Sequence, residues 1–85
     1  MQKFQIFFTK QAKKDVESLS PKLKQKLKMI LIEVISQNPN IGKKLIGELD
    51  GNFSYRLTIK DRIIYSIDKK HNRIYIKRAR THYGH

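Results

Sequence analysis

The C-terminal part of the chain contains a short cluster of residues whose side chains can bind and transform a phosphodiester. The cluster is Lys77-Arg78-Ala79-Arg80-Thr81-His82-Tyr83. Histidine gives and takes protons near neutral pH, and arginine binds phosphate bidentately and stabilises added negative charge. Tyrosine offers an aromatic face on which an unpaired base can stack. The combination predicts a metal-free ribonuclease in which the 2′-OH of the substrate attacks the adjacent phosphate. Composition alone leaves a plainer interpretation open, a basic tail with an incidental aromatic residue.

Other catalytic and cofactor chemistry has little support in the sequence. The chain has no cysteine, and its three histidines, His71, His82 and His85, are not spaced as a helical pair of metal ligands. The glycines are isolated and form no phosphate-binding loop of the GxxxxGK[ST] type. We therefore expect no metal, no cofactor and no disulfide.

Charge is the strongest global feature of the chain. Lys and Arg number 19 against seven Asp and Glu, which gives a formal net charge of +12. Residues 56–85 hold nine of these cations and two of the acids. Such a surplus says little about the fold, but it favours a nucleic acid or an acidic protein as partner. RNA is the partner that best fits the C-terminal cluster.

Length and apolar content predict one soluble domain over 1–85. The opening apolar stretch, Phe4 to Phe8, is too short for a signal peptide or a membrane span. We therefore expect a cytoplasmic protein with no membrane partner.

Alternation and capping signals predict a strand followed by two helices. Apolar residues alternate in the first segment and recur at spacings of three and four in the next two. Both helices start at a residue suited to N-capping, and proline follows the second cap. The predicted elements are a strand over 3–8, a helix over about 10–19 capped by Thr9, and a helix over about 21–37 between Ser20-Pro21 and Asn38-Pro39.

Three further alternating segments predict the rest of a sheet. The order is then β-α-α-β-β-β, an α+β fold in which a helical hairpin packs on one face of a mainly antiparallel sheet. The other face should carry the polar alternates, Arg56 among them. The predicted strands cover 53–59, 63–67 and 74–77, after a basic connector over 41–49, with a two-residue turn at Lys60-Asp61 and a longer one over 69–72.

Three ordered pieces of the chain form a recognisable pattern. They are KLIGELDGNFSYRL from Lys44 to Leu57, DRIIYSI from Asp61 to Ile67, and the closing Arg80-Thr81-His82-Tyr83. This pattern resembles the RelE/ParE superfamily of bacterial toxins, in particular its YoeB-like branch. The resemblance covers nearly the whole chain and implies the RelE-like microbial ribonuclease fold. The terminal His-Tyr pair is the most discriminating piece, because ParE-type relatives that poison gyrase usually lack it.

The resemblance implies a toxin of a type II toxin–antitoxin system that acts as a ribosome-dependent messenger-RNA endonuclease. Such a toxin enters the A site of the 70S ribosome, contacts ribosomal RNA, and cuts the exposed codon. A cognate, co-expressed antitoxin protein holds it inactive.

The resemblance also implies roles for individual residues. Arg62 would stabilise the charged phosphate, and His82 would act as general acid for the 5′-oxygen leaving group or as part of the acid/base pair. Tyr83 would orient the substrate or stack on it. The implied RNA-binding residues are Arg56 at the scissile region, Lys43, Lys44, Arg78 and Arg80.

The general base is not assigned by this comparison. The YoeB-like branch uses a glutamate in this part of the connector, and the aligned position here is Lys43. Glu48 lies five residues later in a predicted turn and would serve only if the loop were rearranged. Lys43 or Lys44 would supply charge or proton transfer instead, because neighbouring cations favour loss of a lysine proton. For each of the three residues taken singly, plain solvent exposure is a better interpretation than catalysis.

Two alternatives stay open at the level of the sequence. One is a ParE-like toxin without enzymatic activity that inhibits DNA gyrase, and the other is an RNA-binding module that has lost its chemistry. The His82-Tyr83 pair together with Arg62 favours the nuclease, because an inhibitor has no evident need for these residues.

Overall fold

The computed structural model describes residues 3–47 and 51–80, and its first elements follow the capping signals of the sequence. Strand β1 covers Gln5–Phe8, helix α1 Lys10–Glu17 and helix α2 Pro21–Ile30. The Thr9 hydroxyl accepts a hydrogen bond from the Ala12 N–H at 3.1 Å, and the Ser20 hydroxyl accepts one from the Leu23 N–H at 3.3 Å. These bonds satisfy backbone donors that lack a partner in the first turn of a helix. Both predicted N-termini are confirmed.

The second helix widens before it ends. A π-helical turn, Leu31–Ile35, continues α2, and the Ser36 N–H donates to the Leu31 carbonyl five residues back at 2.9 Å. Asn38 then leaves helical backbone angles (φ −144°, ψ 79°), as expected for a residue that precedes proline. Neither described helix is long and apolar enough to cross a membrane.

The remaining strands complete a five-stranded sheet. They are β2 Lys43–Lys44, β3 Asn52–Arg56, β4 Arg62–Asp68 and β5 Arg73–Arg78. The order in the described part of the chain is β1-β5-β4-β3-β2, with β1 parallel to β5 and the other pairs antiparallel. The predicted α+β architecture is confirmed. Strand β2 is a correction, since its segment was predicted to be a connector. Two residues are too few for alternation to reveal a strand.

The turn between β3 and β4 is longer than the sequence predicts. Strand β3 ends at Arg56 instead of residue 59, and Ile59 is 91% exposed in the turn. The Thr58 hydroxyl accepts hydrogen bonds from the N–H groups of Lys60 and Asp61 at 3.1 and 2.9 Å. A two-residue hairpin turn needs residues that accept positive φ, usually Gly or Asn. This segment lacks them, so Thr58 organises a wider turn.

Alternation divides the sheet between a face that packs on the helices and an opposite face, here called the open face. The helix-packed side is fully buried at Ile63, Tyr65, Ile74 and Ile76. The strand register sends the alternate residues to the open face. Positions on this face include Ser54 and Arg56 on β3, Arg62, Ile64 and Ser66 on β4, and Tyr75 on β5, although Ser54 and Ile64 are buried.

A buried tyrosine ties the segment before β2 to the centre of the sheet. The Tyr65 hydroxyl donates to the Pro39 carbonyl at 2.7 Å and accepts from the Gly42 N–H at 3.0 Å. A Cβ atom at Gly42 would collide with this hydroxyl. Burial raises the pKa of Tyr65 to about 12, so the phenol keeps its donor proton at neutral pH. These contacts fix where Lys43 enters the sheet.

Replacing Tyr65 by phenylalanine tests this tie. Tyr65→Phe leaves the Pro39 carbonyl and the Gly42 N–H without their partner, and we expect the free energy of unfolding to fall by about 1–3 kcal/mol. Urea denaturation measures the change. Tyr55→Phe is the matched control, because Tyr55 packs on the same face and should change stability by less than about 0.5 kcal/mol. Equal losses in both variants would show that the hydroxyl of Tyr65 is not what holds the segment.

Candidate nucleic-acid interface

Two arginines stand directly opposite each other on β3 and β4. Arg56 pairs with Arg62 in the antiparallel register, so both side chains leave the sheet on the open face. Arg56 is exposed and Arg62 is half-buried. Neither guanidinium forms an ion pair or a side-chain hydrogen bond with a described residue. Like charges directly opposite each other destabilise a sheet, so a bound anion would relieve a repulsion that the fold enforces.

The next row of the open face adds a third cation and a buried hydroxyl. Lys43 of β2 pairs with Ser54 of β3, which pairs with Ile64 of β4. Ser54 is 4% exposed, and its Oγ has no hydrogen-bond partner among the described residues. Diagonal neighbours on adjacent strands lie about 7–8 Å apart, so Lys43 and Arg56 can reach one phosphate. Lys43, Ser54, Arg56 and Arg62 are here called the cationic cluster.

Lys44 does not join the cationic cluster. It pairs with Phe53, whose side chain packs against the hydrophobic core, and so it leaves the sheet on the helix side. The alternation of a strand therefore separates two lysines that the sequence analysis grouped together.

The arginines at the end of β5 are engaged by helix α1. The Arg78 Nε donates to the Asp15 Oδ2 at 2.7 Å, and the Arg80 Nη1 donates to the Ser18 carbonyl at 2.9 Å. The Ala79 N–H also donates to the Asp15 Oδ2, at 3.1 Å. These contacts attach the end of β5 to the C-terminal turn of α1, where cations are favoured by the helix dipole. Unlike Arg56 and Arg62, the two arginines have protein partners. Their contact with RNA stays a prediction.

Asp15 is the acceptor at the centre of this attachment. Burial alone would raise its pKa, but the bonds from Arg78, the Ala79 N–H and Gln11 outweigh burial and hold the pKa of Asp15 below its ordinary value. The carboxylate is therefore charged at neutral pH and stabilises the junction of α1 and β5.

No carboxylate of the described residues contacts the cationic cluster. Asp61 is 7% exposed, in the turn before β4, where alternation sends it away from the open face. Asp68 shares the open face with Arg62 but lies six residues along the strand, about 20 Å at 3.3 Å per residue. Its Oδ2 lies 2.8 Å from the Nδ1 of His71. The cluster can bind an anion, but the described residues supply no acidic base beside it.

Three residues of the predicted catalytic machinery lie outside the described residues. They are His82, Tyr83 and Glu48. Their placement relative to the cationic cluster therefore stays a prediction. Within residues 3–47 and 51–80, no three His, Asp or Glu side chains come together in a group that could hold a metal ion.

Two contributors to the site were missed by sequence reasoning. Ser54 stands two residues before Arg56 in an alternating segment, which is the signal that puts both on one face. The tie between Tyr65 and Gly42 had no comparable signal, because the two residues are 23 positions apart in the chain.

Residues 6–84 match the family model described as the ParE-like toxin of type II bacterial toxin–antitoxin systems. The chain belongs to this family. No curated protein sequence matches it.

Solved structures agree with the family. A chain of the RelBE2 toxin–antitoxin complex from Mycobacterium tuberculosis is 31% identical, with coverage of 96% of this chain and 93% of that one and a TM-score of 0.86. A chain of the YoeB–YefM complex from Staphylococcus aureus is 31% identical, with coverage of 94% and 98% and a TM-score of 0.77. A free RelE variant from Escherichia coli is 18% identical, with coverage of 95% and 84% and a TM-score of 0.76, and shows the fold alone. The predicted resemblance to the RelE/ParE superfamily and its YoeB-like members is confirmed.

The repulsion within the cationic cluster gives a stability test. Arg56→Gln should raise the free energy of unfolding at low salt by about 0.2–1 kcal/mol, because it removes one of two opposed charges. Inorganic phosphate should stabilise the wild type more than the variant, since ligand binding to the folded state adds to stability. Urea denaturation with and without phosphate measures both effects.

Lys26→Gln is the matched control for this test, because Lys26 is an exposed cation on α2. If both substitutions changed stability equally, the effect would reflect net charge and the cluster would have no special repulsion.

The pKa of Asp15 predicts a pH dependence. Because the pKa is lowered in the folded state, the contribution of Asp15 to stability is complete above the ordinary value of 3.8 and is lost as the pH falls below it. The free energy of unfolding should therefore fall more steeply between about pH 5 and pH 3 in the wild type than in Asp15→Asn. Arg78→Gln removes the partner and should also flatten the slope. Identical slopes in all three proteins would contradict the attachment.

Proposed function

We propose that this toxin is a metal-independent endoribonuclease that cuts messenger RNA in the ribosomal A site. The observation that carries the proposal is the cationic cluster, in which Arg56 and Arg62 oppose each other without a described partner next to Lys43. Cations that have no partner among the described residues, on the face of a sheet opposite its helices, suit a phosphate of a single strand. The ribosome as the place of action is what the resemblance of the sequence to the YoeB-like branch implies, and the similarity to the YoeB–YefM structure is consistent with that branch.

The reaction forms a bond between the 2′-oxygen and phosphorus and breaks the bond from phosphorus to the 5′-oxygen. The 2′-OH loses its proton to a base, and His82 protonates the leaving 5′-oxygen. Cleavage leaves a 2′,3′-cyclic phosphate and a 5′-hydroxyl. Arg62 and Arg56 stabilise the negative charge on the non-bridging oxygens, as positioned donors do in other acyl and phosphoryl transfers. Tyr83 orients the substrate or stacks on it.

The remaining cations have a different role in this proposal. Lys43 contributes charge to the scissile phosphate, whereas Lys44, Arg78 and Arg80 lie away from Arg56 and Arg62. Cations of this kind attract ribosomal RNA and position the protein without reading sequence.

A cognate antitoxin is the second partner in the proposal. The RelBE2 and YoeB–YefM structures are toxin–antitoxin complexes. On the helix side, an apolar groove lies between β1 and the two helices, with lysines at its rim. An amphipathic segment with acidic residues would fit this groove and its charge. The groove is lined by Ile6, Phe8, Val16, Leu27, Leu31 and Ile32, beside Lys24 and Lys28.

Cleavage mapping on translating ribosomes tests the proposal. The purified toxin should cut the message at the A-site codon, and the cut should persist in the presence of EDTA. Arg62→Ala should slow cleavage by about 10²–10³-fold, the cost of removing one donor to a developing charge. His82→Ala should also abolish rapid cleavage. Addition of the co-expressed antitoxin should suppress the reaction.

Lys26→Ala is the control variant, because it removes an exposed cation far from the cluster in the fold. If the message stayed uncut and gyrase–DNA complexes were trapped, the toxin would be a ParE-like inhibitor and not a nuclease. The observation that favours this alternative is that no described carboxylate contacts the cluster. An inhibitor that only binds its target has no need of a general base.

A further inference from the structure

A second group of residues on the open face combines two aromatic rings with a guanidinium. Phe7 of β1 and Tyr75 of β5 pair across the parallel strands, with ring centroids 5.7 Å apart and planes inclined by 32°. The guanidinium carbon of Arg73 lies 5.1 Å from the centroid of the Phe7 ring. The Arg73 Nη1 donates to the Tyr75 hydroxyl at 3.4 Å. Phe7, Arg73 and Tyr75 are here called the aromatic platform.

The aromatic platform is not part of the hydrophobic core. Phe7 is 39% exposed, and Tyr75 and Arg73 are partly exposed, whereas Ile6 and Phe8 turn to the helices. A two-layer fold places polar alternates on the outer face of its sheet, so Phe7 departs from the expected pattern. Packing of the Phe7 ring on the Tyr75 ring stabilises the edge of the sheet. This packing by itself does not explain why an aromatic ring stands at an exposed position.

We infer that the aromatic platform stacks an unpaired base of the RNA that the cationic cluster holds by its phosphates, an inference that rests on the proposed function. Aromatic rings and guanidinium planes on an open sheet are the surfaces on which proteins stack bases of single strands. Arg73 adds a cation–π contribution. Asp68 pairs with Arg73 in the register, and its charge disfavours a phosphate here. The site therefore takes a base and not a second phosphate.

The spacing fits one strand that contacts both sites. Ser66 pairs with Tyr75 and stands four residues along β4 from Arg62, about 13 Å at 3.3 Å per residue. About four stacked nucleotides at 3.4 Å each, or fewer in an extended strand, cover that distance. The stacked base therefore lies a few nucleotides away from the scissile phosphate. Its stacking fixes which phosphate of the message lies at the cationic cluster.

A single tryptophan makes the platform observable. The chain has no tryptophan, so Phe7→Trp places the reporter in the platform itself. The probe is a 2′-O-methyl oligouridylate of about eight nucleotides, within the range of single-strand site sizes. Its blocked 2′-oxygen prevents cleavage. Stacking of a uracil on the indole should quench the fluorescence with saturation at one oligonucleotide per protein.

Affinity and its salt dependence separate a stacked base from a phosphate contact. Tyr75→Leu should weaken binding by about fivefold to a hundredfold, as the loss of one stacked base does, with no change in the slope of log K against log salt. Tyr75→Phe keeps the ring and should restore most of the affinity. Arg62→Gln should reduce the slope by about one, because it removes a phosphate contact. Tyr55→Leu, an aromatic loss on the helix side, is the matched control.

Two results would overturn the inference. The first is unchanged fluorescence of the Phe7→Trp variant while the oligonucleotide binds. The second is equal affinity of Tyr75→Leu and the wild type for the oligonucleotide. If that variant also formed a weaker antitoxin complex, the platform would be a protein contact. The proposed function itself is tested separately by cleavage mapping, in which its failure would be seen as uncut message on ribosomes. Quenching together with intact message would leave a toxin that binds RNA by the platform without cutting it.

Discussion

The register of β3 against β4 is the constraint on which the candidate site depends. Phe53 stacks on Tyr65 with ring centroids 5.6 Å apart, and this pair sits in the same register that sets Arg56 opposite Arg62. A slip of one residue would turn Phe53 to the open face and remove it from the core. Burial of the aromatic pair thus forces two like charges together. The energy that holds the cations comes from apolar packing on the other side of the sheet.

The five arginines of the chain divide between two physical roles. Arg73, Arg78 and Arg80 each have a partner on this chain, whereas Arg56 and Arg62 have none among the described residues. Arg78 is paired with the carboxylate of Asp15, which offsets its charge and attaches β5 to α1. Arg73 and Arg80 donate to neutral oxygens of Tyr75 and Ser18 and keep their charge. Arg56 and Arg62 keep both their charge and their hydrogen-bond donors, so among the described arginines this pair has the greatest capacity to bind an external anion.

The sequence predicts the elements of this fold better than it predicts their contacts. Caps at Thr9 and Ser20 and the alternation of the strands are local signals, and they predict both α-helices and every strand of the described residues except the two-residue β2. The wider turn at Thr58 was missed because a hydroxyl, and not a glycine, organises it. The engagement of Arg78 by Asp15 joins residues 63 positions apart, which no local pattern reports. For the candidate site, alternation predicted that Arg56 faces outward, but its pairing with Arg62 required the register.

In the proposed complex with messenger RNA, the cationic cluster and the aromatic platform bind different parts of the strand, and their separation would hold the message in one register. Phosphates are alike along a strand, so the cationic cluster by itself allows the strand to slide. A base on the aromatic platform must leave the rings before the strand can slide, so stacking resists that movement. The carboxylate of Asp68 lies opposite Arg73 in the strand register and would repel phosphates from that arginine. The aromatic platform therefore favours a base, whereas the cationic cluster favours a phosphate. Stacking at one end therefore limits which phosphate can lie between Arg56 and Arg62 at the other.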